Sequence, residues 1–444
     1  MKQKLIYFIL PVVLIIGYFL IAYALPKYAG QYFVFVMLVL MDIYLWSSVK
    51  KQVFNYRTYL SVILSILYWL PFATLAGFGI AAAIIPVVEW NDVFRTYLLG
   101  FIFIFYAAKL LPVIFILLSD IVLVIDRIFV LFIKEKREKL EASQEKGMTR
   151  SKFLTYLGFI SGGLVLGTML TGMFKWVYQF NVVRQKVKIP GLPSSFNGLK
   201  VIQISDMHLG SWASEKPLSQ AVEMINEMKP DLILFTGDLV NFTTEEAYRF
   251  EDTLKELKAR KGVYTILGNH DYGDYVSWPS KQDKLDNMQA LYDLYDRLGW
   301  RMLNNENKVF KIGSAKLALM GVENWGANPR FPRHGDIDKA YKGTEDADVR
   351  VLMSHDPSHW EKIIKPKGYE IDLVLAGHTH GFQFGIEIPG IKWSPAKWMY
   401  KYWAGLYKDE NSDRYLYVNR GLGVIGYPGR IGILPEITEI ELVA

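Results

Sequence analysis

Residues 199–210 read LKVIQISDMHLG, and this stretch decides the fold because a run of β-forming apolar residues ends just before two groups that can bind metal. The run is Val201–Ile204, and the two groups are Asp206 and His208. A short continuous apolar run predicts a strand buried on both faces. In layered α/β proteins, functional side chains lie on loops at the carboxyl ends of such strands. The stretch therefore predicts a strand that carries an aspartate and a histidine to one edge of a sheet.

The same arrangement of an apolar run followed by a polar block recurs four more times. The pairs are Leu232–Phe235 before Gly237-Asp238, Val263–Leu267 before Gly268-Asn269-His270-Asp271, Val349–Met353 before Ser354-His355, and Leu373–Leu375 before Gly377-His378-Thr379-His380. Segments with apolar residues three and four apart, typical of helices, lie between them. Strands that alternate with helices predict an α/β domain, and we expect the five blocks to meet at one sheet edge.

The five blocks supply the ligand types that two divalent metal ions need, namely neutral imidazoles, carboxylates and one shared bridging group. Five of the seven histidines of the chain fall inside them. Asp206 and His208 are two residues apart on one turn, so both can point at one ion, and Asp238 is suited to bridge two ions. Asn269 offers a neutral carbonyl oxygen. The remaining predicted ligands are His355, His378 and His380. Each block alone is a weak signal, but all five in order predict a metal-dependent hydrolase.

The first 178 residues have a different character. Apolar residues make up 51% of the chain and crowd this region into five runs, and a helix needs about 20 apolar residues to cross a hydrocarbon core roughly 30 Å thick. The runs are Leu5–Leu25, Tyr32–Ser48, Tyr59–Val88, Tyr97–Leu118 and Phe153–Tyr178. The first run follows two lysines as a secretory signal would, but its length and the four further runs favour a retained span. We therefore expect a transmembrane domain over residues 1–178 and one soluble domain over 179–444.

Lysine and arginine are unevenly distributed among the predicted loops. The rich segments hold Lys2 and Lys4, then Lys50, Lys51 and Arg57, then seven positive residues between 134 and 152, whereas the loops between them hold Lys27, and Arg95 beside acidic residues. By the positive-inside rule, this bias predicts a multi-pass cell-membrane protein with a cytoplasmic N-terminus and an extracytoplasmic soluble domain. Much of the net charge of +6 lies in these loops, which indicates contact with membrane lipids rather than nucleic acid. No cysteine is present, which excludes disulfides and thiolate metal sites.

Two ionisable residues, Asp42 and Lys109, fall inside the predicted spans at similar depth. A charge in the bilayer is costly and is usually paired or functional. The sequence is compatible with a buried ion pair, with another structural polar contact, or with a role in moving substrate or protons.

The five blocks resemble the calcineurin-like metallophosphoesterases, whose pattern runs Asp-x-His, Gly-Asp, Gly-Asn-His-Asp/Glu, His and Gly-His-x-His. The resemblance extends from about Pro190 to Leu442, and Tyr417–Pro435 (YVNRGLGVIGYPGRIGILP) is similar to the membrane-associated bacterial branch. It implies a four-layer α/β/β/α sandwich with two central sheets behind the five-helix transmembrane region.

The resemblance also implies the roles of individual residues. One ion would be bound by Asp206, His208, Asp238 and His380, and the other by Asp238, Asn269, His355 and His378. His270 would not bind metal but would face the phosphate, stabilising charge or protonating the leaving group. Asp271 and Asn241 would orient that imidazole, although a local turn role suits Asn241 equally well. The implied cofactors are two divalent ions of manganese, zinc or iron, and the implied reaction is attack on a phosphoester by a hydroxide held between them.

Several features bear on the substrate. The segment Ile391–Tyr407 is rich in tryptophan, tyrosine and lysine, which is typical of a membrane interface, although a loop that packs its aromatic residues onto the domain has the same composition. Arg420 and Arg430 are candidates for gripping phosphate. Phe382 stands where a second glycine is expected in relatives and would thicken the pocket wall. Two histidines outside the blocks, His334 and His359, are expected at the surface.

We therefore expect an integral membrane phosphoesterase that hydrolyses a phosphomonoester or phosphodiester such as a phospholipid, a glycolipid pyrophosphate or another envelope precursor. Two alternatives stay open. One is a membrane receptor or transport-associated protein with a regulatory or vestigial phosphoesterase domain. The other is a tethered phosphatase for soluble substrates.

Overall fold

The computed structural model describes residues 2–24, 26–132 and 150–444. Most of the basic segment predicted between the fourth and fifth spans, residues 134–149, lies outside the described residues. The chain divides into two compact units, one of residues 1–90 with 98–168 and the other of residues 91–97 with 169–444. The second unit therefore includes the last residues of the fifth apolar run as well as the whole α/β region.

The described part of the N-terminal region folds into five apolar helices, as predicted. These are α1 (Lys2–Ala24), α2 (Tyr32–Phe54), α3 (Thr58–Ile84), α4 (Asp92–Phe132) and α5 (Arg150–Phe174). Four segments are long and apolar enough to cross a membrane: Tyr28–Phe54, Thr58–Ile84, Asp92–Ile125 and Phe153–Tyr178. In α1, Val12–Ala24 forms a shorter apolar stretch. Many exposed side chains of these helices are large and apolar, as lipid-facing surfaces require.

The two intramembrane charges form a pair. Lys109 Nζ lies 2.5 Å from Asp42 Oδ1, and the Tyr106 hydroxyl donates to Asp42 Oδ2 at 2.7 Å. Lys109 also donates to the main-chain oxygen of Tyr68 at 3.2 Å. Asp42 is fully buried, so its charge is matched by direct donors rather than by water. Because these residues come from α2, α3 and α4, the pair joins three helices of the first unit.

The second unit contains two six-stranded sheets of mixed direction. In spatial order, the first has β1 (Asn181–Lys188), β14 (Glu436–Val443), β2 (Lys200–Ile204), β3 (Leu232–Phe235), β4 (Val263–Thr265) and β5 (Arg301–Met302). The second has β12 (Gly405–Lys408), β13 (Tyr415–Val418), β9 (Leu373–Ala376), β8 (Val349–Met353), β7 (Ala315–Gly321) and β6 (Glu306–Ile312). A separate hairpin pairs β10 (Ile386–Ile388) with β11 (Ile391–Trp393).

The inner faces of the two sheets share one apolar core, to which Val201 and Leu234 contribute from the first sheet and Leu319 and Val351 from the second. Helices cover the outer faces. Those over the first sheet are α6 (Lys216–Glu227), α7 (Glu251–Lys255) and α8 (Lys281–Leu298), and those over the second are α9 (Ile337–Tyr341) and the helical turn Trp360–Ile364. The predicted four-layer α/β/β/α fold is therefore confirmed.

The strand order places the polar blocks together. In the first sheet β2, β3 and β4 are adjacent and parallel, and in the second β8 and β9 are adjacent and parallel. Each of these strands ends just before one of the five blocks. Parallel neighbours end at the same edge of a sheet, so all five loops reach the same end of the sandwich.

Candidate metal centre

The loops hold most predicted ligands in an uncommon backbone conformation. Asp206, His208, Asp238, His378 and His380 all have φ between 46° and 72°. A side-chain-bearing residue costs on the order of 1–2 kcal/mol in this left-handed region, and such strain concentrates at functional sites. Phe382 shares it, with φ 52°, at the position where a glycine was expected. The backbone conformation of the turns therefore helps to fix the positions of the ligand side chains.

The first predicted ligand group is tightly clustered. Donor atoms of Asp206, His208 and His380 all lie within 4.8 Å of one another. Asp206 Oδ1 is 3.2 Å from His380 Nε2, which is itself 3.0 Å from His208 Nε2. All three residues are buried. Two imidazole nitrogens and a carboxylate that converge in this way match the donor set of a divalent cation.

The second group contains Asp238, His355 and His378, whose donor atoms also lie within 4.8 Å of one another. Asp238 Oδ2 is 3.1 Å from His355 Nε2 and 3.6 Å from His208 Nε2, so it faces both groups. The other carboxylate oxygen, Oδ1, accepts the main-chain N–H of His270 at 2.8 Å. One oxygen is thus fixed by the loop, and the other is placed to be shared by two ions.

Two further contacts test whether metal ions fit this site. The carbonyl oxygen of Asn269 is buried and accepts no hydrogen bond from any described residue, while its amide donates to the Tyr275 hydroxyl at 2.7 Å. His355 Nδ1 lies 2.7 Å from the main-chain oxygen of Thr236, so Nδ1 carries a proton and Nε2, 3.1 Å from Asp238 Oδ2, is the nitrogen left to bind a metal ion. Buried acceptors without donors are what a cation satisfies, so the residues present fit two divalent ions.

Burial favours the neutral form of His208 and His378, whereas at His355 the effect of burial is outweighed by Asp238, which raises the pKa to about 10. Burial lowers the pKa of His208 well below its ordinary value, and the neighbouring His380 acts in the same direction. Burial likewise lowers the pKa of His378. A histidine binds metal only in its neutral form, so the shifts at His208 and His378 favour ligation near neutral pH.

His270 stands apart from both ligand groups but beside them. Its ring stacks on Tyr275 with centroids 4.2 Å apart, and its Nδ1 lies 2.8 Å from the main-chain oxygen of Asn241. A carbonyl oxygen only accepts, so Nδ1 carries the proton. Asn241 therefore contacts the imidazole through its backbone rather than its side chain.

The sequence predicted that Asp271 would orient His270, but its carboxylate instead binds the backbone of the ligand loops. Its carboxylate accepts main-chain N–H groups of Gly268, Asp238 and Leu239 at 2.8–2.9 Å. These donors belong to two different ligand loops. Asp271 thus ties the loop of Asn269 to the loop of Asp238 and positions both.

The active-site cavity has a volume of about 440 Å³. Its lining includes the polar residues His208, Asp238, Asn269, His270, His378 and His380, and the large residues Phe331, Phe382, Met399, Tyr400, Ile425 and Tyr427. Phe382 is thus placed on the wall, as expected. The polar lining residues are mostly buried, whereas two apolar lining residues, Phe382 and Met399, are exposed.

Arg420 and Arg430 are not among the described residues that line this cavity. Arg430 is fully buried, and its Nη2 donates to main-chain oxygens of Arg420, Gly421 and Gly423 at 2.6–3.0 Å. Burial lowers the pKa of Arg430 to about 9. Arg420 Nε lies 2.6 Å from Glu436 Oε2, and its Nη1 pairs with Glu387. Arg430 thus holds the backbone of residues 420–423, Arg420 is paired with two glutamates, and this placement does not support direct phosphate binding.

Sequence reasoning missed several residues around the ligands. The Tyr400 hydroxyl is 2.8 Å from His378 Nε2, and Asp356 Oδ2 is 3.6 Å from the same atom. Asp356 directly follows His355, so extending that block by one residue would have included it. Tyr275 lies in a loop that no motif marks, and Tyr400 lies in the aromatic segment Ile391–Tyr407, which was connected with the membrane or with packing rather than with a metal ligand. His334 is exposed as expected, but the prediction for His359 was wrong, because it is buried against Trp325 with a ring nitrogen 2.9 Å from Ser354 Oγ.

Comparison with known proteins gives two family matches. Residues 199–382 match the family described as calcineurin-like phosphoesterase. Residues 28–176 match the family described as probable calcineurin-like phosphoesterase, transmembrane domain. Together these matches cover the described apolar helices from α2 onward and all five polar blocks up to Phe382.

Individual relatives agree with the family matches. The chain is 32% identical over 269 residues to a transmembrane protein with metallophosphoesterase domain from Danio rerio, covering 59% of this chain and 57% of that protein. It is 28% identical to the uncharacterized metallophosphoesterase YkuE of Bacillus subtilis, and the match covers 67% of this chain and 98% of that protein. It is 26% identical to the UDP-2,3-diacylglucosamine pyrophosphatase LpxG of Chlamydia trachomatis, covering 60% and 93%. The chain spans a little over half the length of the first two curated relatives.

Proposed function

Because this chain belongs to the calcineurin-like phosphoesterases and carries their transmembrane domain ahead of the catalytic one, we propose that it is an integral membrane hydrolase that uses two divalent metal ions to cleave phosphoric esters. The observation that carries the proposal is the position of Asp238. Its Oδ2 faces His355 of one ligand group at 3.1 Å and His208 of the other at 3.6 Å. A shared carboxylate is the feature that a two-metal centre needs and that a single-metal site does not.

The chain's own residues supply the rest of the chemistry. Bound divalent ions would polarise the phosphoryl oxygens and lower the pKa of a coordinated water. Asn241 holds the proton of His270 on Nδ1, and Tyr275 fixes the plane of the ring. His270 lines the cavity, where an imidazole that also carries a proton on Nε2 would stabilise charge on the phosphate or pass that Nε2 proton to the leaving oxygen.

We further propose that the ester is carried by a membrane lipid, a glycolipid pyrophosphate or a related envelope precursor. The exposed apolar residues Phe382 and Met399 in the cavity lining support this, because an acyl chain can pack against them and a small soluble phosphate ester has no group that does so. The relative from Chlamydia trachomatis carries the name of a pyrophosphatase for a diacylated sugar nucleotide, which supports the same class. The metals would be manganese, zinc or iron.

The activity is tested with the full chain purified in detergent. We expect hydrolysis after addition of manganese or zinc on at least one of a phosphomonoester, a phosphodiester and a lipid extract, with loss on chelation and recovery when metal is restored. Turnover should be greatest with the lipid extract. Absence of hydrolysis on every substrate would favour the receptor or transport alternative. Activity confined to the soluble esters would favour a tethered phosphatase.

We propose that the catalytic domain is extracytoplasmic, supported by the alternation of positive charge among the loops. The chain has no cysteine, so a single introduced cysteine is the sole thiol available for labelling. In intact cells, a membrane-impermeant maleimide is expected to label Asp252→Cys, whose native side chain is exposed, but not Lys51→Cys in the predicted cytoplasmic loop. The reverse pattern, with Asp252→Cys labelled only after lysis, would place catalysis in the cytoplasm.

A further inference from the structure

The small β10–β11 hairpin beside the cavity exposes its apolar face and turns its polar face toward the domain. Its register pairs Ile388 with Ile391 and Ile386 with Trp393, so these four side chains share one face. The three isoleucines of that face are about half exposed. The opposite face carries Glu387, which pairs with Arg420 of the domain. A two-stranded hairpin in water normally presents its polar face outward, and this one presents its apolar face.

The exposed face continues into neighbouring residues to form one surface, which we call the apolar lip. It consists of Phe382, Phe384, Ile386, Ile388, Ile391, Trp398 and Met399, all of them large and exposed. Trp393 joins its parts, with its ring centroid 6.3 Å from that of Phe384 and 5.7 Å from that of Trp398. Phe382 and Met399 also line the active-site cavity. The lip therefore leads from the surface into the site.

Hydrogen bonds connect the lip to the end of a membrane-length helix. Gly385 donates its N–H to the main-chain oxygen of Ile431 at 2.9 Å, and the next residue toward the N-terminus, Arg430, donates its main-chain N–H to the oxygen of Gly172 at 3.3 Å. Gly172 lies in the last turns of α5, within the candidate span Phe153–Tyr178. A Cβ at Gly172 would lie 2.6 Å from the Tyr427 hydroxyl and 2.7 Å from the oxygen of Arg430, so only glycine permits this approach.

We propose that the apolar lip inserts into the bilayer leaflet and contacts the acyl chains of the substrate while its phosphoester occupies the metal centre. This proposal rests on the proposed function. The occupant is lipid rather than a protein partner because the lip is continuous with the end of a span. Exposed Lys397 and Lys401 flank Trp398, the composition that interfacial anchors use against anionic headgroups. The substrate then reaches the site without leaving the membrane.

Insertion is measured directly on the full chain, which lacks native cysteine. Ile388→Cys and, as the matched control, Leu285→Cys are each labelled with an environment-sensitive fluorophore and reconstituted into vesicles of phosphatidylcholine and phosphatidylglycerol. Leu285 is a suitable control because it is 60% exposed, against 55% for Ile388, and lies on α8. Spin-labelled lipid is expected to quench the probe at 388 severalfold more than the probe at 285. Equal quenching at both positions would overturn the proposal.

A second variant keeps the test independent of the labelled residue. Ile391→Glu in the Ile388→Cys background is expected to reduce lipid quenching severalfold, because a carboxylate must be withdrawn from hydrocarbon. The metal content of the purified variant should equal that of the unmodified chain, which shows that the metal centre is intact. Undiminished quenching in this variant would contradict insertion. Quenching does not depend on turnover, so a failure of the proposed activity and a failure of lipid insertion give different results.

Discussion

Replacing Asp238 with asparagine is expected to abolish hydrolysis through loss of metal. The substitution removes the carboxylate whose Oδ2 faces both ligand groups. Loss of groups that merely support metal ligands typically weakens metal binding by about 10–100-fold, so loss of the shared ligand should exceed that range. Removing several kcal/mol of charge stabilisation corresponds to a fall in turnover of roughly 10³-fold or more. Metal content of the purified protein and turnover at saturating substrate check both expectations.

Asparagine is a more specific test than alanine because of the positive φ angle at this position. Asp238 has φ 60°, which asparagine tolerates much better than alanine does. Asp238→Asn therefore removes charge with little added strain, whereas Asp238→Ala combines both effects. Asp252→Ala, at an exposed aspartate of the same domain, is the matched control and should keep full metal and activity. Wild-type activity in Asp238→Asn and Asp238→Ala would refute the two-metal assignment.

Replacing His270 with alanine is expected to reduce turnover by roughly 10²–10⁴-fold while both metals stay bound. The imidazole belongs to neither ligand group and is held instead by the Asn241 carbonyl and the Tyr275 ring. Its main-chain N–H, which fixes Asp238 Oδ1, survives the substitution. Turnover and metal content, measured on the same preparation, separate this variant from Asp238→Asn.

The leaving group reveals which role His270 has. If the imidazole donates a proton to the leaving oxygen, His270→Ala should harm esters of poorly acidic alcohols far more than nitrophenyl esters, which need no protonation. If the imidazole stabilises charge on the phosphate, turnover of both classes of ester should fall by the same factor. In that case His270→Gln should recover part of the lost turnover. Metal loss in His270→Ala equal to that in Asp238→Asn would instead make the residue a ligand.

The sequence predicts the architecture well because its main signals are local. Apolar runs such as Val201–Ile204 and Leu232–Phe235 become neighbouring parallel strands, and the block after each run lands at the shared edge. Membrane helices are equally readable, because hydrocarbon thickness sets the length of an apolar run. The pairing of Asp42 with Lys109 is one of the alternatives that the sequence left open, because a charge in a bilayer is costly and is usually paired or functional.

The side-chain contacts that sequence reasoning did not predict involve residues that are distant from one another along the chain. Arg430 is an expected phosphate ligand by residue type, but its Nη2 donates to three main-chain oxygens of residues 420–423. His359 looks like a surface residue until Trp325 covers it. Tyr400 reaches His378 from a loop 22 residues away. No periodicity or motif encodes such contacts.

The left-handed turns of the ligand loops have a consequence for how these loops can change over evolutionary time. Five predicted ligands have positive φ, and all five are aspartate or histidine. Aspartate, asparagine and histidine are the side chains, glycine aside, that enter this conformation most readily. They are also oxygen and nitrogen donors that bind divalent ions. The turn conformation and the metal ion thus favour the same few residue types. A mutation that replaces a ligand therefore usually destabilises the turn as well. Such loops are expected to drift slowly even where the surrounding helices diverge.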